Sequence, residues 1–91
     1  MDNTVVTVNP ANDRVIHEFE NMTNEQVTKI VDKSRTAFRE WKGDIRKRSM
    51  ILLRLGEQLR KDKERLARIA SEEMGKPIKE SRSEIEKCAW A

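Results

Sequence analysis

The residues of this chain that could perform chemistry are few and widely separated. The single cysteine is Cys88, the single histidine is His17, and the three glycines stand alone at positions 43, 56 and 75. A nucleophilic thiol needs a nearby base or positive charge, and a metal centre needs several ligands at fixed spacing. A phosphate-binding loop needs clustered glycines. Because the sequence has none of these patterns, the residues alone predict neither a catalytic nor a cofactor-binding site.

Two adjacent carboxylates, Glu72 and Glu73, lie in a short segment where one helical pattern ends and another begins. Neighbouring residues on a helix point about 100° apart, so this pair cannot act together as acid and base. Gly75 suits the left-handed conformation that ends a helix, and Pro77 suits the first turn of the next one. We therefore interpret residues 72–77, called the corner below, as a helix stop and restart.

The elements that position these residues are a hairpin and a series of helices. A β-branched run, a turn and a second alternating run predict a β-hairpin over residues 4–20. Amphipathic patterns predict helices over residues 23–42, 45–74 and 77–91, with a break near 61–63 where the stretch is polar. Gly56, which lies inside an apolar stripe, predicts that another element crosses closely there. The predicted fold is mainly α, an N-terminal β-hairpin followed by three to four helices.

Local signals specify several helix ends. Thr23 and Gln26 have the spacing of a capping box, and Asp44 is a competent N-cap for the second helix. Asp62 could cap a new helix after the predicted break. Cys88 falls on the predicted inner face of the last helix, where a thiol is normally inert.

Composition limits the class of protein. Hydrophobic residues make up 36% of the 91 residues and charged residues 38%, so at most one domain with a thin core is expected. There is no apolar run of about 18 residues and no pattern of a targeting leader, and a lone cysteine fits a reducing compartment. We therefore expect a cytoplasmic protein. The last helical pattern still runs at Ala91 without a cap, which predicts a fragment of a longer chain.

Positive charge is concentrated in the middle of the chain. Residues 42–68 carry ten basic and four acidic side chains, a local net charge of +6 in a chain of +3. One alternative is therefore a basic helical module that binds nucleic acid, and another is a helical interaction module that buries its stripes in a homo-oligomer. No aromatic residue is interleaved for base stacking, which favours a solvated face or one that meets an acidic protein surface.

Three motifs, taken in order, resemble the N-terminal part of an aldehyde dehydrogenase. They are residues 7–11 (TVNPA) with 15–16, residues 37–41 (AFREW) followed by Arg48 and 52–53, and residues 73–77 (EMGKP) followed by 84–90 (EIEKCAW). Together they cover essentially the whole chain. The last run, with the short lead before the first strand, most resembles the succinate-semialdehyde dehydrogenase branch.

The resemblance implies an α/β parent enzyme with a Rossmann-like cofactor domain, a catalytic domain and an oligomerisation arm. Such a parent oxidises an aldehyde to the carboxylic acid with NAD or NADP, through a cysteine nucleophile and a glutamate. Neither catalytic residue falls within these 91 residues, and Cys88 matches a helix position instead. The region is then an inactive structural part that binds no cofactor. The implied partners are the aldehyde substrate, the rest of the enzyme chain and further subunits of a homo-dimer or homo-tetramer, with neither nucleic acid nor membrane.

The resemblance also implies one metal site. Some family members hold a structural monovalent cation with backbone carbonyls in the strand before Asn-Pro and an acid just before the Gly-Lys-Pro corner. Those positions here are Thr7, Val8 and Glu73. Carbonyl and carboxylate oxygens are hard ligands that suit a hard cation. The alternative is that Glu73 only forms a salt bridge or hydrogen-bonds the strand.

Overall fold

A computed structural model describes residues 3–91; the first two residues, on which the expected lack of a leader partly rests, lie outside the described part. The structure consists of strands β1 and β2 followed by helices α1, α2, α3 and α4. Their bounds are Thr4–Val8, Val15–Glu20, Asn24–Trp41, Ile45–Lys61, Lys63–Met74 and Ile78–Trp90. The predicted mainly α fold, an N-terminal hairpin followed by helices, is confirmed.

The two strands form an antiparallel hairpin with one irregularity near its closed end. Thr7 lies opposite His17, whereas Val8 lies opposite Val15, so Ile16 is an extra residue on β2. An extra residue of this kind bends the strand and increases its twist. Ile16 is the half-buried residue of β2. The irregularity therefore lies next to the turn that joins the two strands.

Side chains cap the first two helices as the sequence predicts. The Gln26 amide donates to the Thr23 hydroxyl over 3.1 Å, and the Thr23 amide donates to the Gln26 side chain over 2.9 Å. At the start of α2 the Asp44 carboxylate accepts from the Lys47 amide over 3.0 Å. Each cap satisfies amides that otherwise lack an intrahelical partner.

The chain breaks between α2 and α3 at Asp62, but the predicted side-chain cap at this residue is wrong. The Asp62 carboxylate makes no cap hydrogen bond to α3. It accepts from the Gln58 side-chain amide over 3.0 Å and pairs with Arg65 at 3.3 Å. The hydrogen bond from Gln58 is the largest cause that lowers the pKa of Asp62 below its ordinary value. The carboxylate is therefore already engaged with two side chains and is not available to the backbone.

Small residues allow α2, α3 and α4 to pack closely. Gly56, Ala67 and Ser81 are buried, and the Ser71 and Ser81 hydroxyls share a hydrogen bond of 2.8 Å. A Cβ placed on Gly56 would lie only 2.8 Å from the backbone carbonyl oxygen of Ala89. This contact is the close crossing that Gly56 predicts, and the crossing element is α4.

Ion pairs fix the surface side of the same three helices. Arg82 on α4 donates two parallel hydrogen bonds to the Glu64 carboxylate on α3, at 2.9 and 3.1 Å. The hydrogen bond from Arg82 is the main cause that lowers the pKa of Glu64. Arg60 and Lys63 both reach Glu86, at 3.1 and 3.7 Å. Because these pairs are largely exposed, they define the register of α4 more than they stabilise the fold.

Apart from this centre, little of the described chain is buried. Ala67 is its buried hydrophobic residue, and α1 has no buried residue. The radius of gyration is 17.3 Å, against about 12 Å expected for a compact domain of this length. The described residues therefore form an extended arrangement whose apolar side chains face outwards. Among residues 3–91, no helix combines the length and apolar character needed to cross a bilayer.

The crossing at Gly56 predicts a specific cost of adding a methyl group. Gly56→Ala must push the α4 backbone away, so we expect the free energy of unfolding to fall by about 1–3 kcal/mol. Gly43→Ala is the matched control, because its Cβ would make only an ordinary van der Waals contact of 3.9 Å with the Glu40 carbonyl oxygen. Urea unfolding, monitored by circular dichroism, measures the free energy of unfolding of both variants. Equal stability of the two variants would contradict the close crossing.

Candidate functional site

The hairpin turn and the corner meet, and this contact organises the candidate site. A Cβ on Gly75 would lie 2.8 Å from the Cγ atom of Pro10, so the two turns touch. Gly75 has φ of 71°, the left-handed conformation that ends α3. Strand β1 also contacts α3. The chain thus brings together two turns that are about 65 residues apart in the sequence.

Side chains of the turn itself hold the turn in shape. The Asn9 side-chain oxygen accepts from the Ala11 amide over 2.9 Å, and that of Asn12 accepts from the Arg14 amide over 3.0 Å. Asp13 adopts a positive φ of 58°, which Asp and Asn tolerate better than most residues. The turn therefore offers Pro10 to the corner from a well-defined backbone.

The corner is fixed from the helix side as well. The Gly75 amide donates to the Ser71 carbonyl over 2.9 Å, and the Ser81 amide donates to the Pro77 carbonyl over 3.2 Å. The Lys76 ammonium group pairs with Glu84, in the second turn of α4, at 2.6 Å. Backbone hydrogen bonds and one ion pair therefore determine how α3 gives way to α4.

The three predicted cation ligands lie on the two sides of this contact. Thr7 and Val8 end β1, and Glu73 lies in the last turn of α3. Thr7 and Glu73 are half-buried, whereas Val8 is 42% exposed. The Thr7 hydroxyl donates to the His17 carbonyl over 3.5 Å. The structure thus brings the predicted strand and the predicted helix end together.

The Glu73 carboxylate makes no ion pair or hydrogen bond within residues 3–91. The alternative in which Glu73 only forms a salt bridge therefore finds no basic partner in the described part. No cluster of three or more His, Cys, Asp or Glu side chains capable of holding a metal occurs there either. A donor set of carbonyls and one carboxylate is of a different kind, and it suits a monovalent cation.

Cys88 and His17, the single thiol and the single imidazole of the sequence, have no catalytic surroundings in the described residues. Cys88 is exposed, so the prediction that it lies on the inner face of α4 is wrong. It shares an open groove with Leu52, Leu53 and Trp90. The ring of His17 stacks on Phe19 with 4.4 Å between centroids, far along the chain from the thiol. The described residues offer no pairing of nucleophile and base.

Much of the basic stretch of residues 42–68 is engaged with the protein itself. Arg48 donates to the Lys42 carbonyl over 3.1 Å, and Lys42 lies 5.6 Å from the centre of the Phe38 ring. Arg60 and Lys63 pair with Glu86, as described above. These contacts account for several of the charges that suggested a nucleic-acid surface.

Comparison with known proteins decides the family. The model of the aldehyde dehydrogenase family matches residues 1–91. The chain belongs to the aldehyde dehydrogenase family. The turn and the corner of this aldehyde dehydrogenase chain coincide with two of the motifs, at residues 7–11 and 73–77, that predicted the membership.

Individual aldehyde dehydrogenases are similar over most of the chain. D-glyceraldehyde dehydrogenase (NADP(+)) of Thermoplasma acidophilum is 35% identical over 85 residues, which is 91% of this chain and 17% of the relative. Malonate-semialdehyde dehydrogenase 1 of Shouchella clausii is 37% identical over 81 residues, 88% of this chain and 16% of the relative. Lactaldehyde dehydrogenase of Methanocaldococcus jannaschii is 32% identical over 81 residues, 88% of this chain and 18% of the relative. The chain therefore spans less than a fifth of each relative's length.

Proposed function

We propose that this chain is the N-terminal structural part of an NAD(P)-dependent aldehyde dehydrogenase that oxidises an aldehyde to the carboxylic acid. The supporting observation is the family match over residues 1–91, combined with coverage of only 16–18% of the relatives. The described residues contain no pairing of nucleophile and base. The chain is then inactive alone, and its role is to complete the fold of a larger subunit.

The proposed substrate is succinate semialdehyde. The support is the resemblance of residues 84–90 and of the short N-terminal lead to that branch of the family. The name of one relative, malonate-semialdehyde dehydrogenase 1, specifies an aldehyde that also carries a carboxylate. The proposed cofactor is NAD or NADP, and NADP(+) appears in the name of the Thermoplasma relative. No residue of this chain is assigned to substrate or cofactor, so both would be held by the rest of the enzyme.

The proposed partners follow from the same role. They are the remaining polypeptide of the subunit, the aldehyde substrate of that subunit, and further copies of it in a homo-dimer or homo-tetramer. We propose no nucleic-acid partner, because the basic stretch lacks interleaved aromatic residues and much of it is engaged internally. We propose a cytoplasmic location without membrane attachment.

A chimeric enzyme tests the structural role. Residues 1–91 replace the matching segment of the Shouchella relative, and NAD and NADP reduction is followed with malonate semialdehyde. We expect the chimera to keep the relative's activity within roughly tenfold, a change of about 1.4 kcal/mol in activation free energy. The 91-residue chain alone should reduce neither cofactor with any of the aldehydes named above. A folded but inactive chimera, or turnover by the chain alone, would contradict the proposal.

We also propose that Thr7, Val8 and Glu73 contribute to a monovalent-cation site in the assembled enzyme. The support is their position on either side of the contact between the turn and the corner, and the absence of a partner for Glu73 within residues 3–91. The carbonyls of Thr7 and Val8 and the carboxylate of Glu73 would be the ligands. A bound cation would join the end of β1 to the end of α3 and so stabilise the corner.

Cation-dependent stability of the chimera tests this site. Raising KCl from zero to about 100 times the dissociation constant, at constant ionic strength with tetramethylammonium chloride, should stabilise the chimera by about 2.7 kcal/mol. Glu73→Gln should remove this dependence, whereas Glu72→Gln, on the exposed neighbour, should retain it. Thermal unfolding in KCl, NaCl and tetramethylammonium chloride measures the effect. Potassium-dependent stabilisation that survives Glu73→Gln would rule out the site.

A further inference from the structure

One face of α1 is apolar along its length and is largely uncovered within residues 3–91. Val27, Ile30, Val31 and Phe38 are between 43 and 58% exposed, and α1 has no buried residue. These residues, together with Trp41, recur at the spacing of three and four that places side chains on one side of a helix. We call this set the α1 stripe. From Val27 to Trp41 it extends for about 21 Å at 1.5 Å per residue.

The α1 stripe continues into an open groove between α1 and α2. The apolar residues Ala37, Phe38, Trp41 and Ile51 line the groove together with Ser34, Glu40 and Lys47, and its volume is about 520 Å³. An amphipathic helix gains much of its stability when another element covers such a stripe. Within residues 3–91 no element lies there, because the hairpin packs against the corner and α4 packs against the other side of α2.

Two observations distinguish the possible occupants. The chain spans 16–18% of the length of its relatives, so an aldehyde dehydrogenase subunit contains a large further polypeptide that could cover the α1 stripe. In a symmetric pair of copies, the same surface would meet itself. The basic helix α2, which carries six basic residues and one acidic residue, would then lie beside its own copy, and the like charges would repel. A second copy is therefore the less favourable occupant.

We propose that the α1 stripe and its groove are the surface by which this chain docks onto an apolar face of the remaining polypeptide of the aldehyde dehydrogenase subunit. This inference rests on the proposed function and specifies which surface carries it. The charged face of α1, which includes Thr28 and Thr36, stays in solvent. The α1 stripe is thus required for assembly of the enzyme and not for folding of the hairpin and helices themselves.

A pair of double variants tests the docking surface in the chimera. Ile30→Asn with Phe38→Asn places two polar groups on the α1 stripe. Thr28→Asn with Thr36→Asn is the matched control, since its two positions are also eight residues apart but lie on the opposite face. Threonine and asparagine have similar helix propensity. We expect the stripe variant to lower the yield of assembled, active chimera at least about tenfold, as expected when two buried side chains are truncated. The control should leave the yield unchanged.

The same variants in the 91-residue chain keep the test independent of misfolding. Because the α1 stripe is exposed there, both variants should keep the helical circular dichroism and the unfolding midpoint of the parent chain. An unmodified chimera that is folded but inactive would contradict the proposed function itself. An active chimera that tolerates the stripe variant would overturn only the docking surface. If the chain alone sediments as a dimer that the stripe variant dissociates, while the chimera tolerates that variant, a second copy is the occupant and the proposal is wrong.

Discussion

The contact between α2 and α4 at Gly56 is the constraint on which the other contacts of this structure depend. The carbonyl oxygen of Ala89 lies where a side chain at position 56 would begin, so α4 can approach only because this residue is glycine. Buried Ala67 and Ser81 allow α3 to join the same packing. Once α4 is held in this way, the corner between α3 and α4 is fixed, and the hairpin turn has a defined surface to contact.

Packing by small residues also explains why so much apolar surface remains outside. Glycine, alanine and serine bring backbones close together but bury little apolar area, and apolar area is the main source of stability. The larger apolar residues of α1 and α2 are exposed in residues 3–91. The chain belongs to the aldehyde dehydrogenase family but spans only 16–18% of the length of its relatives, which is consistent with this exposure. The helices present on their outer faces what a larger subunit would bury.

Structural features that depend on three or four neighbouring residues could be predicted from the sequence. Features that depend on residues far apart in the sequence could not. The capping box at Thr23 and the left-handed Gly75 are local, and both appear where the sequence places them. The cap at Asp62 fails because Gln58 competes for its carboxylate. Periodicity assigns Cys88 to one face of its helix. It does not predict how far the neighbouring helix extends over that face. The meeting of the turn and the corner, which brings β1 against α3, needs the whole fold.

The central claim is that the chain has one tightly packed centre and leaves α1 to be covered by another polypeptide. Hydrogen–deuterium exchange of the 91-residue chain, read by mass spectrometry of its peptides, tests this most directly. Amides of α2, α3 and α4 around Gly56, Ala67 and Ser81 should be the most protected, because opening them requires the packed centre to separate. Amides of α1 should exchange much faster. Protection of α1 equal to that of α3 would show that α1 is already packed, and would contradict the account.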